Sequence, residues 1–398
     1  MSASASAPLN NGVSMTAGDI IENIRSIGPQ LRERSTEIDE IRRLPDDVVD
    51  LLRKAGAFRM LMPKEWGGPE MNPMQCVEAL EVMATYDASA SWCVMIACDT
   101  GIFSAFMSDE VNREFHPNLD VAVAAVLAPT GGAREVDGGF VVNGRWDFGS
   151  ASSLCDYLTA SAVLLKDGKP VMNKDGAPET RIIMARPEKY HIHDMWDTTG
   201  LRGTSSNTFE AKEMFVPAHH TFDVSSKPRH PGPIFHWFPI VFAKISGIPL
   251  GIAASAMDHV TEVLATKTDK ITGKQARSSE RVQLAMGQAK MKLGAARAYV
   301  YRTLEETWEY AKEFRPVPEP LRADLITSRV NAFQSSREVV QLLYDTLGSS
   351  AILRQKSPLD RHLRDVTTAC MHWTGQEKTL SIAGRGVLGS SLGKQMMF

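Results

Sequence analysis

Apolar residues recur at spacings of three and four in two long parts of the chain, and shorter β-rich runs lie between them. From residue 16 to about 120 the pattern is helical, and its first stripe includes Ile20, Ile24 and Leu31. Residues 226–398 return to the same helical spacing. The pattern predicts an N-terminal helical domain and a second helical domain at the C-terminal end.

The middle segment, residues 121–225, is predicted to form a compact β domain. It contains five short runs rich in β-branched and aromatic residues, separated by Gly, Pro, Asn and Asp turns. These runs are Val121–Leu127, Phe140–Asn143, Tyr157–Leu165, Arg181–Arg186 and Phe209–Val216.

Four long amphipathic stretches follow the β segment and predict a four-helix bundle. They are Ile248–Thr266, Arg277–Phe314, Pro320–Leu347 and Leu359–Leu380. At the other end, residues 1–15 are rich in Ser, Ala and Asn and lack the basic and apolar regions of a signal peptide. We expect these first residues to be a disordered tail.

Composition excludes several classes of function. The 398 residues carry a formal net charge of -3, with no Lys/Arg block, so nucleic acid is not an expected partner. No apolar run approaches the roughly 18 residues of a membrane span. The five cysteines lack paired metal-type spacing, so we expect no metal, reduced thiols and a cytoplasmic location.

The segment Ser357–Lys378 holds the first candidate for chemistry. Asp365, Thr368 and His372 are spaced by three and four, so a continuous helix would carry them on one side. A histidine there, beside Trp373, can titrate near neutral pH and move a proton. The alternative is a helix-surface histidine without a function.

Four sequence strings, in this order, resemble the acyl-CoA dehydrogenase fold over nearly the whole chain after the tail. They are LPDDVVDLLRKAGAFRMLMPKEWGG (44–68), GGFVVNGRWDFGSAS (138–152), GLRGTSSNTFEAKEMFVP (200–217) and SPLDRHLRDV (357–366). The resemblance implies a mainly α protein with a central β domain. It also implies a flavin between the β domain and the bundle, and a homotetramer.

Within that fold, two chemistries compete. Common acyl-CoA dehydrogenases carry a glutamate base after the Arg-Asp pair, but here His372-Trp373 follows Arg364-Asp365. The chain instead resembles the two-component flavin-dependent monooxygenases (group D hydroxylases). A dehydrogenase of acyl-CoA with its base relocated to Glu262 is the enzymatic alternative, and a fold that has lost catalysis and serves in assembly is the non-enzymatic one.

The monooxygenase resemblance implies a cofactor and partners. Reduced flavin, FADH2 or FMNH2, would come from a separate NAD(P)H-dependent flavin reductase and form a C4a-hydroperoxyflavin with molecular oxygen. The substrate would be a small aromatic or heteroaromatic molecule, phenol-like or indole-like, that is hydroxylated or epoxidised. An imidazole near the flavin can manage the protons of either the peroxide or the substrate.

The resemblance also assigns residues to the site. His372 is the expected proton-managing group, and Ser150 is its expected catalytic partner on the N5 or O4 side of the flavin. The expected flavin contacts are Trp146, Phe148, Ser150, Ser152, Arg277, Ser279 and Gly348, of which Arg277 and Ser279 match a phosphate-contacting position. A Ser-rich hairpin turn and a solvated helix-start charge are the alternatives for these strings.

The substrate side is expected to be aromatic. Trp92, Trp196 and Trp373 can exclude water from the reacting flavin. Several aromatic hydroxylases carry a second histidine where this chain has Thr100, so Thr100 or Asp99 is expected to bind a substrate N–H or O–H instead.

Overall fold

The computed structural model describes residues 14–269 and 273–393, and it begins with a helical segment. α1 starts with a capping box in which Thr16 and Asp19 satisfy each other's backbone N–H groups. The helices of this segment are α1 (Ala17–Ile41), α2 (Asp46–Lys54), α3 (Pro73–Ala84), α4 (Ala88–Ala97), α5 (Thr100–Ser104) and α6 (Asp109–Phe115). The expected disordered tail lies outside the described residues, except for Ser14 and Met15.

The middle of the chain folds into one eight-stranded sheet in the order β6-β7-β2-β1-β3-β5-β8, with β4 paired to β3. Its strands are β1 (Val123–Val136), β2 (Gly139–Gly149), β3 (Tyr157–Lys166), β4 (Lys169–Pro170), β5 (Thr180–Ala185), β6 (His191–His193), β7 (Asn207–Pro217) and β8 (Thr221–Phe222). Among these strands of the described residues, only the β1–β3 pairing is parallel. Every predicted β-rich run overlaps one of these strands, and the predicted fold class is confirmed.

Trp146 belongs to the interior of this sheet. Its ring is fully buried and stacks on Phe209 with the ring centroids 5.6 Å apart. Its indole N–H donates to the Ser161 carbonyl at 2.8 Å. A Cβ on Gly131 or Gly144 would lie within 2.7 Å of the ring, so the sheet is built closely around it. The predicted flavin contact of Trp146 is therefore wrong.

The C-terminal segment is a helical bundle centred on α10. Its helices are α7 (Ile240–Ala243), α8 (Gly247–Thr266), α9 (Glu280–Lys312), α10 (Glu319–Leu347), α11 (Leu359–Cys370) and α12 (Leu380–Val387). α10 packs against α8, α9, α11 and α12. The N-terminal helices and this bundle share one hydrophobic core, which includes Ile20, Leu80 and Val340.

The fourth long helix is shorter than its sequence pattern predicted. α11 ends at Cys370, and the chain continues through a 3-10 turn over Trp373–Gly375. His372 is extended, with φ -61° and ψ 134°, and caps that turn. The predicted stripe of Asp365, Thr368 and His372 on one helix face is therefore wrong.

The predicted domain limits at 120 and 225 stay predictions. One core cluster crosses the first limit, because Phe103 and Phe115 pack with Tyr157 and Met184 of the sheet. The segment Ile240–Thr266 is long and apolar enough to span a membrane by composition alone, with a mean hydropathy of 1.7, which corrects the expectation that no run approaches this length. Since 83% of the most apolar 18 residues of this segment are buried inside the protein, the segment serves here as a core helix.

Candidate active site

The turn that follows β2 is strained and polar. Phe148 and Ala151 have positive φ values of 64° and 67°, a conformation that is costly for residues with a side chain. Phe148 is nevertheless 72% exposed. Contacts elsewhere in the turn must hold it in place, and strain of this kind is common at functional sites.

The restraint comes from the loop before β7, residues 201–206. The Ala151 N–H donates to the Thr204 carbonyl at 2.9 Å, and the Ser152 hydroxyl donates to the Ser205 carbonyl at 2.7 Å. The hydroxyls of Ser153 and Ser205 are 2.6 Å apart. The Ser152 hydroxyl therefore joins the two loops. These bonds hold the serine-rich turn rigidly against the neighbouring loop.

A chain of hydroxyl groups runs through these loops and begins on α4. The Trp92 indole N–H donates to Ser150 Oγ at 3.1 Å, Ser150 is 2.7 Å from Ser206 Oγ, and Ser206 is 2.7 Å from Thr204 Oγ1. Thr204 ends the chain by donating to the Leu201 carbonyl at 2.9 Å. Because an indole N–H only donates and a carbonyl only accepts, each hydroxyl hydrogen points towards Leu201. Ser150 Oγ is left with a spare lone pair, which suits an N–H donor.

The Arg364-Asp365 pair holds the same loop from α11. The Asp365 carboxylate accepts the Leu201 N–H at 2.6 Å, and the Arg364 guanidinium donates to the Thr199 carbonyl at 2.6 Å. A Cβ on Gly200 would lie 2.2 Å from the Arg364 carbonyl oxygen, so only glycine fits this approach. Burial raises the pKa of Asp365 to about 7. The Arg364-Asp365 pair positions the loop around Leu201, and other residues carry out the chemistry.

His372 faces this network from the turn after α11. Its ring lies edge-on to Trp92 with the centroids 5.5 Å apart, and Trp373 follows at 6.0 Å. Burial, assisted by the charge of Arg329, lowers the pKa of His372 to about 4. The expectation that this histidine titrates near neutral pH is therefore wrong, and the ring is neutral at pH 7.

The tautomer of His372 follows from its contacts with Thr374. Nδ1 accepts the Thr374 backbone N–H at 3.4 Å and lies 2.7 Å from the Thr374 hydroxyl. Since a backbone N–H can only donate, Nδ1 is the acceptor and the ring hydrogen sits on Nε2. No described residue, within 14–269 and 273–393, hydrogen-bonds Nε2. The site therefore holds a neutral imidazole with a free Nε2–H donor.

Aromatic side chains lie on the β-domain side and on the bundle side of the site. Phe148 and Trp196 meet edge to face at 6.3 Å on the β-domain side, and the Trp196 indole N–H donates to the Leu201 carbonyl at 2.9 Å. On the bundle side, Trp373 packs against Phe242 with the centroids 5.3 Å apart. The exposed Phe148 and the half-buried Trp196 offer flat apolar surface next to the hydroxyl chain.

The predicted phosphate-contacting residues form a second group elsewhere. Arg277 and Ser279 are exposed, and the turn that carries them joins the Gly348 turn through Lys267, whose ammonium donates to the Leu347 carbonyl at 3.1 Å. α10 spans both groups, since its Arg329 donates to the Thr374 carbonyl at 3.1 Å. At 1.5 Å per residue, the stretch of α10 between residues 329 and 347 is about 27 Å long.

Asp99 and Thr100, the expected substrate-binding residues, are both buried. Thr100 Oγ1 lies 2.9 Å from His116 Nε2, and Asp99 pairs with Lys244 at 2.5 Å. Glu262, the alternative base, is exposed on α8.

The sequence analysis missed Lys244, although a single cation within the apolar string PIVFAKISGIPL is an available signal. No pattern in the sequence indicated the hydrogen bonds between Thr374 and His372.

The residues present fit a flavin. A strained turn with an available serine oxygen, a neutral imidazole donor and exposed aromatic surface converge where the sheet meets the bundle. These groups can supply hydrogen bonds to the polar edge of a flavin ring and a wall that excludes water.

Comparison with known proteins agrees with this reading. Residues 25–119 match the family "Acyl-CoA dehydrogenase, N-terminal domain", and residues 243–377 match "Acyl-CoA dehydrogenase, C-terminal domain". Together the two matches cover more than half of the chain.

Several characterised proteins are similar over nearly the full length. The oxygenase subunit HsaA, a flavin-dependent monooxygenase of Rhodococcus jostii, is 29% identical over 93% of this chain and 98% of its own. Indole-3-acetate monooxygenase of Pseudomonas putida is 28% identical over 90% of each chain. The crystal structure of 3-HSA hydroxylase from Rhodococcus sp. RHA1 superposes with a TM-score of 0.87 at 25% identity, covering 96% of this chain and 99% of the other.

The chain belongs to the acyl-CoA dehydrogenase family by both of its helical domains and by its fold. Within that family it is a flavin-dependent monooxygenase, which confirms the predicted enzyme class and cofactor.

Proposed function

We propose that this protein is the oxygenase component of a two-component system that oxidises a phenol-like or indole-like aromatic molecule with reduced flavin and oxygen. The single observation that carries the proposal is the free Nε2–H of neutral His372 beside the Trp92–Ser150 hydrogen bond. Relatives named for indole-3-acetate and for p-hydroxyphenylacetate support the aromatic substrate class. Where common acyl-CoA dehydrogenases carry a glutamate base, this chain has His372, which donates a hydrogen bond.

Reduced flavin, when bound, supplies the electrons that activate oxygen for transfer to the substrate. With flavin bound, Ser150 Oγ would accept a hydrogen bond from a flavin N–H, because its own hydrogen points towards Ser206. With flavin and oxygen bound, His372 would donate a hydrogen bond from Nε2–H to an oxygen atom and so stabilise charge that develops there. Trp92 and Trp373 exclude water from the reacting atoms.

The second group of predicted flavin residues points to an oligomeric site. Arg277, Ser279 and Gly348 lie about 27 Å along α10 from the His372 end, by the helical rise per residue. The site therefore takes its phosphate-binding residues from a neighbouring copy, within a homotetramer. Exposed Leu284 and Met291, one heptad apart on α9, supply apolar surface for that assembly.

Two further features complete the proposal. The names of relatives as oxygenase subunit or component support a separate flavin reductase as partner. All five cysteines are unpaired, and four of them are buried, which supports a reducing cytoplasmic location.

Rapid mixing tests the proposed function. The protein is loaded anaerobically with reduced FAD or reduced FMN and mixed with oxygen while flavin absorbance is followed. We expect a transient absorbance band before oxidised flavin appears, and product from an indole or phenol panel. Immediate reoxidation without a transient, combined with dye reduction by an acyl-CoA, would contradict the proposal and restore the dehydrogenase alternative. Size-exclusion chromatography with light scattering tests the tetramer separately.

A further inference from the structure

Two consecutive histidines and a glutamate meet where α6 approaches the sheet, and none of them has a part in the mechanism described so far. One nitrogen or oxygen atom from each of Glu114, His219 and His220 lies within 4.8 Å of the other two. Glu114 and His219 are exposed and His220 is half-buried, so an ion can reach them from solvent. Imidazole nitrogen and carboxylate oxygen are both ligand atoms for zinc.

The two imidazole rings converge although they are neighbours in sequence. They stand on the short 3-10 turn Ala218–His220, between β7 and β8. Their centroids are 4.4 Å apart, and the ring planes meet at 80°. Two protonated rings at this separation would repel each other, whereas one metal ion can accept a lone pair from each neutral ring. The arrangement therefore favours a shared metal ion over two separate protons.

The contact between His220 and Glu114 has the separation of two metal ligands. His220 Nε2 lies 2.9 Å from Glu114 Oε1. Nε2 is nevertheless buried without a hydrogen-bond partner among the residues that the structure describes, so the two atoms are not aligned for an N–H···O bond. Tetrahedral zinc with bonds of about 2.0–2.1 Å places its ligand atoms about 3.3 Å apart. A small shift of either side chain would let both atoms bind one ion.

The fold holds these side chains in place from two directions. The ring of His220 packs against Phe115 with the centroids 4.7 Å apart, and Phe115 is buried in the core between α6 and the sheet. The Ala218 N–H donates to the Gly138 carbonyl at 3.0 Å, and the Thr221 hydroxyl donates to the Ala218 carbonyl at 2.9 Å. Because the ligands are already positioned, binding an ion would cost little ordering entropy.

Another histidine pair on the same sheet lacks these features. His191 and His193 are similarly close, with ring centroids 4.3 Å apart, and His193 Nε2 makes a hydrogen bond with Glu210 at 3.0 Å. The Lys212 ammonium lies 3.1 Å from the same carboxylate, which therefore already has a cation. In the described part of the chain, no lysine or arginine pairs with Glu114. The charge of Glu114 is thus available to an added ion.

We propose that Glu114, His219 and His220 form a binding site for a divalent transition-metal ion, with Zn²⁺ as the best fit. Two neutral imidazoles and one carboxylate are a donor set that zinc accepts, and a water molecule completes four-coordination. The expectation of no metal considered cysteine spacing, and this donor set contains no cysteine. The bound ion joins α6 to the turn before β8 and so stabilises the contact between the N-terminal helices and the sheet.

Titration of ZnCl2 into protein that has been stripped with EDTA and then freed of the chelator tests the site. By isothermal calorimetry we expect one Zn²⁺ to bind per chain. At a zinc concentration about 100 times Kd, the melting temperature should rise by roughly 3 °C or more. Mg²⁺ at the same concentration should give no shift, because it prefers oxygen ligands. Co²⁺, which gains visible absorption in a tetrahedral site, reports the geometry.

Glu114→Gln and His219→Ala each remove one exposed ligand, so both variants should fold normally. Each should weaken zinc affinity by at least about 10-fold, the smallest loss seen even when a group next to a ligand is removed, and the melting shift should shrink accordingly. His193→Ala is the matched control, since it removes a histidine from the other pair on the sheet. It should bind zinc as wild type does.

The proposal fails if wild-type protein binds no zinc, or if Glu114→Gln and His219→Ala bind it as tightly as wild type. Equal weakening in His193→Ala would also overturn it, because the ion would then lie at the other pair. His220→Ala should weaken binding as well, and if loss of the Phe115 contact prevents its folding, the two exposed variants decide. The flavin transient in Glu114→Gln should match that of wild type, which keeps this test independent of the proposed function.

Discussion

The Trp92 indole nitrogen lies 3.1 Å from Ser150 Oγ and joins helix α4 to the strained turn after β2. The same indole ring contacts His372, with the ring centroids 5.5 Å apart. One side chain thus positions both of the groups that are proposed to face the flavin. It also donates to the first hydroxyl of the chain, whose direction is set at the other end by the Leu201 carbonyl.

Trp92→Phe separates these two tasks. The phenyl ring keeps most of the contact with His372 but cannot donate to Ser150. Ser150 Oγ then loses the bond that holds it from the α4 side, while its hydrogen still points towards Ser206. We expect product formed per NAD(P)H consumed to fall by roughly 10-fold, a loss of about 1.4 kcal/mol in positioning, with more hydrogen peroxide released. Parallel assays of product and peroxide measure the ratio. Equal coupling in Trp92→Phe and wild-type enzyme would show that the Trp92–Ser150 bond has no effect on chemistry.

His372→Ala removes the free Nε2–H donor. We expect flavin affinity to stay nearly unchanged and coupled oxidation to fall by roughly 10²-fold, the range for loss of one positioned hydrogen-bond donor. Flavin titration and product assays on the same preparation check both parts. His372→Asn is the matched variant, because its amide can still donate a hydrogen bond, and it should recover part of the lost rate. An unchanged rate in His372→Ala would remove His372 from the mechanism.

Thr374 is expected to set the tautomer of His372. Thr374→Val removes the hydroxyl that lies 2.7 Å from Nδ1 and leaves only the longer contact from the backbone N–H, at 3.4 Å, to keep the ring hydrogen on Nε2. We expect a loss of coupling smaller than that of His372→Ala, together with a changed ¹⁵N chemical-shift pattern of the imidazole nitrogens. Thr374→Ser keeps the hydroxyl and should restore both readouts. A wild-type ¹⁵N pattern in Thr374→Val would mean that the backbone N–H alone fixes the tautomer.

The sequence predicted most of the fold because the signals there are periodic. The β-rich runs such as Tyr157–Leu165 became strands, and Ile248–Thr266 became α8. The pattern failed after Cys370, where spacings of three and four continue but an extended His372 interrupts the helix. Apolar periodicity records burial, and residues in a tight turn can be buried with the same spacing.

The site was harder to predict than the fold because its contacts join distant parts of the chain. Sequence reasoning identified His372 and Ser150 as candidates, but not Trp92 as the residue that links them. It took Trp146 for a flavin contact because the string that contains it resembles the flavin-side string of the family. The alternation of side chains along β2 instead places that ring in the interior of the sheet. Lys244 pairs with Asp99 across 145 residues, which no local spacing records.

Arg277→Ala tests whether the flavin site is shared between copies. Its guanidinium is exposed and at the far end of α10 from His372, so we expect weaker flavin affinity with unchanged chemistry in the bound fraction. A mixture of Arg277→Ala and His372→Ala chains, refolded or co-expressed, should regain activity if each site takes one residue from each copy. Arg315→Ala, which removes another exposed arginine on the bundle, is the control. Equal flavin affinity by titration would exclude a phosphate contact.

His362 gives a pH-dependent prediction that is separate from the chemistry. Burial, with the charge of Arg361, lowers the pKa of His362 to about 3, so the folded protein keeps this ring neutral. The unfolded chain protonates it below about 6.5, and the unfolded state then binds more protons. The contribution of His362 to stability is therefore complete above about pH 6.5 and is lost as the pH falls towards 3.

The raised pKa values of Asp99, about 6, and Asp365, about 7, act in the opposite direction, because the folded state then binds the extra protons as the pH falls. Comparing wild type with His362→Gln isolates the histidine. Between pH 6.5 and 5, wild-type protein should lose about 2 kcal/mol of unfolding free energy more than the variant does. Urea unfolding at both pH values measures this difference. Parallel loss in both proteins would show that His362 is protonated in the folded state, and that its surroundings are more polar than the packing indicates.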